Sequence, residues 1–186
     1  MMQNLWQKKP ELTYNQNIFD IVQFGSSILE NTKPNDIDIA VIYINLSIKD
    51  QLDNSQLIKN QLQKFSDLPI HIKSFDLYSF FDESNFAREN ILFYGKSLIS
   101  GDYFAKKLGL NPRIQIFYSL RHLKKKEKVK FNYMLRGKKG EYGLLKKYGG
   151  SLLNPGLIEI YPEYENIFIE SIKNISNKFD IKKVLY

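Results

Sequence analysis

Two carboxylates one residue apart, Asp36 and Asp38, follow a Gly25-Ser26 pair in the stretch FGSSILENTKPNDIDIAVIY, residues 24–43. Nine residues separate Ser26 from Asp36. Glycine permits a tight turn and a close backbone approach to a ligand, and hydroxyls beside free amides suit phosphate oxygens. Gly25, Ser26 and Ser27 are therefore candidate nucleotide contacts. The apolar run Ile37, Ile39, Ala40, Val41 and Ile42 reads as a buried strand, on which Asp36 and Asp38 fall on one face. Carboxylates that close repel unless a cation lies between them, and hard oxygen ligands beside a phosphate cradle suit Mg²⁺ or Mn²⁺. The chemistry these residue types allow is metal-assisted handling of a triphosphate. The alternative is a strand that opens with two solvated aspartates after a surface turn.

Positioning such a site takes a strand before the glycine turn. Residues 15–24 supply one through Ile18, Phe19, Ile21, Val22 and Phe24, with a short helix ahead of it and Trp6 and Leu12 capping the core. Residues 26–31 are expected as a helix whose start faces the phosphates, and residues 32–35, with Pro34 as breaker, as the turn into the acidic strand. The spacing of Ile48, Leu52, Leu57, Ile58, Leu62 and Phe65 predicts a helix burying that face. Pro69 ends it, and Ile70, Ile72 and Phe75 give a third strand. A helix capped by Asp82 or Ser84 then runs through Phe86, Ile91 and Leu92 to Gly95.

Composition shifts at Gly101-Asp102. Residues 1–102 hold nine basic and thirteen acidic residues, net −4, whereas residues 103–186 hold 18 and 7, net +11. The expected division is 1–102 and 103–186. In the second half Ile114, Ile116 and Tyr118 alternate as a strand, residues 124–135 form a basic helix, and residues 136–150 are punctuated by glycine. Residues 157–161 form a short strand ended by Pro162. Ile167, Phe168, Ile172, Ile175 and Phe179 predict a final amphipathic helix. Arg121, Lys124, Lys125, Lys126, Arg136, Lys138 and Lys139 are candidate contacts to a polyanion, either RNA or the phosphates of a nucleotide; the alternative is a solvated basic face.

The whole chain has 186 residues, 43% hydrophobic and 25% charged, an ordinary globular composition able to bury a core. The absence of cysteine excludes disulfides and thiolate-bound zinc. No apolar run has the length of a membrane span and the first residues lack a signal-peptide core, so a cytoplasmic protein without membrane contact is expected.

At Gly25-Ser26 and Asp36-Ile37-Asp38 the chain resembles the minimal nucleotidyltransferases of the DNA polymerase β superfamily. The likeness extends to about Ser100 through LPIHIKSFDLYSF and ILFYGKSLI. It implies an α+β (α/β) fold: a small mixed sheet with helices packed on it, followed by a basic α/β region. The second half looks, more vaguely, like the C-terminal part of archaeal stand-alone nucleotidyltransferase-domain proteins. The resemblance implies transfer of a nucleoside monophosphate, AMP above all, from an NTP such as ATP to an acceptor hydroxyl on RNA (tRNA-like) or on a partner protein. Asp36 and Asp38 would hold the divalent metal.

Two departures accompany the likeness. His71 stands where the family has its third carboxylate; neutral imidazole can take a proton or sit beside a metal, though a lone strand histidine is commonly just packed. Asp76 is the fallback for that carboxylate. Ile28 and Leu29 replace the arginine and small residues common after the Gly-Ser pair, and Lys33 is the candidate replacement charge. Three functions stay open: a metal-dependent nucleotidyltransferase, a module that binds nucleotide, RNA or a partner without turnover, and a purely structural interaction protein.

Overall fold

A computed structural model describes residues 5–138 and 141–186. Among these, the chain is an α+β protein with two four-stranded sheets and eight α-helices. The first elements are α1 (Leu5–Lys8), β1 (Ile18–Phe24), β2 (Ile37–Tyr43), α2 (Ile48–Leu62), β3 (Ile70–Asp76), α3 (Leu77–Phe81), α4 (Ala87–Tyr94), β4 (Lys96–Ser97) and α5 (Phe104–Lys107). There follow β5 (Pro112–Tyr118), α6 (Lys125–Arg136), α7 (Leu144–Lys147), β6 (Ser151–Asn154), β7 (Leu157–Ile160), α8 (Glu165–Lys173) and β8 (Phe179–Leu185). The chain clusters into two units, Met1–Ile28 with Thr32–Asn111, and Leu29–Asn31 with Pro112–Tyr186. The compositional shift at Gly101-Asp102 thus falls inside the first unit, just ahead of Phe104 and Ala105, which are buried in it.

The first sheet runs β3-β2-β1-β4. β1 is antiparallel to β2 and β4, while β2 and β3 are parallel and therefore need a crossover, which α2 supplies. β2 is apolar at nearly every position because both its faces are covered. Ile37, Ile39, Val41 and Tyr43 join one cluster with Leu5, Ile58 and Leu62, while Ala40 and Ile42 join another with Phe80, Ile91 and Phe104. Trp6 and Leu12 pack against the first cluster, as expected of a cap. The second sheet, β6-β7-β5-β8, is antiparallel throughout. One face of it carries Ile114, Ile116, Ile158 and Ile160 against Phe131 and Leu135 of α6 and Phe168 and Ile172 of α8.

The structure corrects four expectations. Residues 26–31 are not a helix: a three-residue 3-10 turn, Gly25–Ser27, takes their place. Thr32 Oγ1 donates to the Ser26 carbonyl, and Asn31 adopts a left-handed φ of 64° that no helix continues through. α2 forms, but buries Gln51, Ser55, Ile58 and Leu62, leaving Ile48, Leu52 and Leu57 exposed. The reason lies below it: the buried Tyr43 hydroxyl needs partners and finds the Gln51 carbonyl at 3.0 Å and Ser55 Oγ at 2.8 Å, so a polar stripe turns inward. Asp82 and Ser84 bond each other instead of capping α4, whose first amide is met by Asn85 Oδ1. The last helix stops at Lys173, and Phe179 opens strand β8. Among the described residues no helix is long and apolar enough to cross a membrane.

Candidate functional site

Strand register builds the acidic site. β1 ends at Phe24 opposite Asp38, so the chain turns at Gly25 directly against the start of β2. Gly25 has φ +77°, and a Cβ there would stand 2.6 Å from Asp38 Oδ2. Only glycine accepts both that conformation and that approach. The parallel pairing of β2 with β3 sets His71 beside Asp38, and His71 Nδ1 lies 3.3 Å from Asp36 Oδ2. One ligand atom from each of Asp36, Asp38 and His71 falls within 4.8 Å of the others. A strand, its parallel neighbour and a glycine turn thus deliver one carboxylate pair, one imidazole and one close backbone segment.

The site's charges are unbalanced. The Asp38 carboxyl is raised above the ordinary aspartate range, first by burial and second by the negative charge of Asp36, while Lys73 and His71 pull it back. A pair held close against its own repulsion is what a cation relieves, and two carboxylates with an imidazole form a donor set that fits a divalent ion. Lys73, two residues past His71 and on the same face of β3, is the nearby cation; its Nζ lies 5.8 Å from the Phe24 ring centroid. Period-two spacing from His71 would have pointed to it. Lys33, expected in that role, is exposed on the loop and is not among the charges acting on Asp38.

The glycine turn is more selective than its sequence suggested. Ser26 is exposed and its hydroxyl is open to a ligand. Ser27 turns inward: its hydroxyl accepts from buried Gln23 Nε2 at 3.0 Å and donates to the Phe24 carbonyl at 3.2 Å, so it holds the turn and does not face a ligand. The Gly25 amide donates to Asn90 Oδ1 of α4 at 3.2 Å, a partner with no local signal in the sequence. Asp76 lies on the opposite face of β3 from His71 and caps α3 through the Ser79 amide at 2.8 Å, which removes it as the fallback carboxylate.

The basic residues of the second unit divide into two groups. Arg121 and Arg136 line one cleft of about 550 Å³ together with Lys128 and Asn132. Lys124, Lys125 and Lys126 do not line it; Lys124 immediately precedes α6, where its amide donates to Glu127 Oε2 at 2.7 Å. Lys138 is exposed just past the helix, and Lys139 lies outside the described residues. Lys128 and Asn132 went unnoticed in the sequence, though they precede Arg136 at intervals of four on one helix face.

No family model matches this chain, and no curated protein matches it.

Proposed function

We propose that the first unit is a metal-dependent nucleotidyltransferase, transferring a nucleoside monophosphate, AMP above all, from an NTP to an acceptor hydroxyl on RNA or protein. The observation that carries this reading is the convergence of Asp36, Asp38 and His71 within 4.8 Å beside a glycine turn that touches Asp38. Asp36 and Asp38 would hold Mg²⁺ or Mn²⁺, with the imidazole favouring the softer Mn²⁺. Such an ion, when bound, supplies neutralisation of the triphosphate and polarisation of its α-phosphorus. The chain's own residues do the rest. The exposed Ser26 hydroxyl would hold phosphate oxygens at the turn, and Lys73 would offset their charge. His71, which is exposed, can take the proton of the attacking hydroxyl as its oxygen bonds to the α-phosphorus and pyrophosphate leaves.

The test is labelling. The protein with α-labelled ATP, Mn²⁺ and total RNA or cell protein should leave label on an acceptor and release pyrophosphate. Asp36→Ala with Asp38→Ala should abolish both; persistence of label in that double variant overturns the assignment. A second reading is favoured by the imidazole in place of a third carboxylate: nucleotide binds with the metal but does not turn over. Nucleotide would then raise the melting temperature only when metal is present, with no pyrophosphate released.

A further inference from the structure

Beside the cationic cleft lies a second depression, also of about 550 Å³, and the two share Tyr118, Ser119, Pro155 and Gly156. Together they form one groove around the end of β5, entirely within the second unit. Its two halves differ in chemistry. One presents Arg121, Lys128 and Arg136 with no carboxylate in its lining, and among the described residues none of these three cations is ion-paired. The other presents Phe117, which is 40% exposed, and Phe179, with Lys178 and a single acid, Asp180. Phe117 is exposed because it points away from the core face that Ile116 and Tyr118 occupy.

Unpaired guanidinium and ammonium groups on one side and an exposed aromatic ring, Phe117, on the other are what a single-stranded polynucleotide recognises: cations track phosphodiesters while a base stacks. A duplex hides its base faces, and an acidic peptide has no use for the aromatic half. We infer that this groove binds single-stranded nucleic acid, with Arg121, Lys128 and Arg136 on the backbone, Asn132 available for a polar base edge, and Phe117 under a base. As acceptor of the transfer proposed above, such a strand rests on that reading; as ligand of the groove it does not.

The experiment is fluorescence anisotropy with the full chain and a labelled oligouridine of roughly twelve nucleotides. Three phosphate contacts to a single strand predict that raising salt from about 50 to about 200 mM weakens binding about 20-fold. Lys128→Ala with Arg136→Ala should lose about tenfold or more and flatten the salt slope, whereas Lys126→Ala with Lys130→Ala, equal in charge but outside the groove, should lose less than about threefold. Phe117→Ala should lose about tenfold without changing the slope. Equal losses from the two double variants, an unaffected Phe117→Ala, absence of binding by the wild type, or equally tight binding of a hairpin duplex would each overturn the inference. Asp36→Asn with Asp38→Asn should bind the oligouridine as the wild type does. Retained binding with lost transfer therefore separates failure of the metal site from failure of the groove.

Discussion

Replacing Asp36 by Asn should make the protein more stable without metal and less stable with it. The two aspartates and His71 offer ligand atoms no more than 4.8 Å apart. Two full negative charges at that separation repel by about 3.5 kcal/mol at an effective dielectric constant of ~20 and about 0.9 kcal/mol in bulk water. The Asp36 side chain is 34% exposed, so solvent screens the pair and about 1 kcal/mol is the working figure. For a chain of this size that is a rise of about 2–4 °C in melting temperature in EDTA. The side-chain carbonyl that Asp36→Asn retains can still accept from His71, so the neighbouring contact survives. With Mn²⁺ at about a hundredfold its Kd the wild type gains about 2.7 kcal/mol, or about 5–10 °C, and overtakes the variant, which gains little. Trp6, the single tryptophan, packs against the first unit's core and reports this unit's melting by fluorescence. A variant that melts below the wild type in EDTA, or shifts equally with Mn²⁺, would refute the claim that Asp36 and Asp38 are held in repulsion for a cation.

Gly25→Ala forces a left-handed conformation on alanine and pushes a methyl to 2.6 Å from Asp38 Oδ2, so it should lower stability by about 1–2 kcal/mol and erase the Mn²⁺ shift; a full shift would show the turn is independent of the site. His71→Asp completes an all-oxygen set and should bring the Mg²⁺-induced shift up to that of Mn²⁺, measured by the same Trp6 fluorescence; an unchanged ratio would remove His71 from the ligand set. Asp20 is buried, with Ser97 Oγ donating to its Oδ1 at 2.7 Å and Lys107 Nζ 3.5 Å from its Oδ2. Burial raises its carboxyl above the ordinary 3.8, so the native state keeps a proton that the unfolded chain has released. Its contribution to stability is full below the unfolded value and lost as pH rises through the folded one. Asp20→Asn should therefore gain on the wild type in urea titrations as pH rises above the ordinary aspartate value of 3.8, and a constant difference would contradict the sign.

Much of the candidate site was legible because its signals are local. An Asp-x-Asp at the head of an apolar run puts both carboxylates on one face through backbone alternation alone, and that holds whatever the rest of the chain does. The glycine was readable as a turn for the same reason. Lys73 was readable in principle from its spacing to His71, but only once that residue was known to line the site. Asn90 was not, since nothing in its neighbours announces that α4 brings it to the Gly25 amide. Local patterning also misled: the apolar residues of α2 include three that face solvent, because Tyr43 on the sheet demanded hydroxyl and carbonyl partners.

By itself the sequence determined strands β1, β2, β3, β5 and β7, the division of charge between the halves, the absence of cysteine chemistry and the pairing of Asp36 with Asp38. Tertiary structure alone decided that Ser27 faces inward, that Asn90 meets the Gly25 amide, that Phe179 opens a strand, and that Lys128 joins Arg121 and Arg136 while Lys124, Lys125 and Lys126 stay outside. The physical reason is range. Periodicity and turn propensity act over a few residues and are written where they act, whereas the register of a parallel pair and the convergence of side chains around a groove follow from packing between segments tens of residues apart.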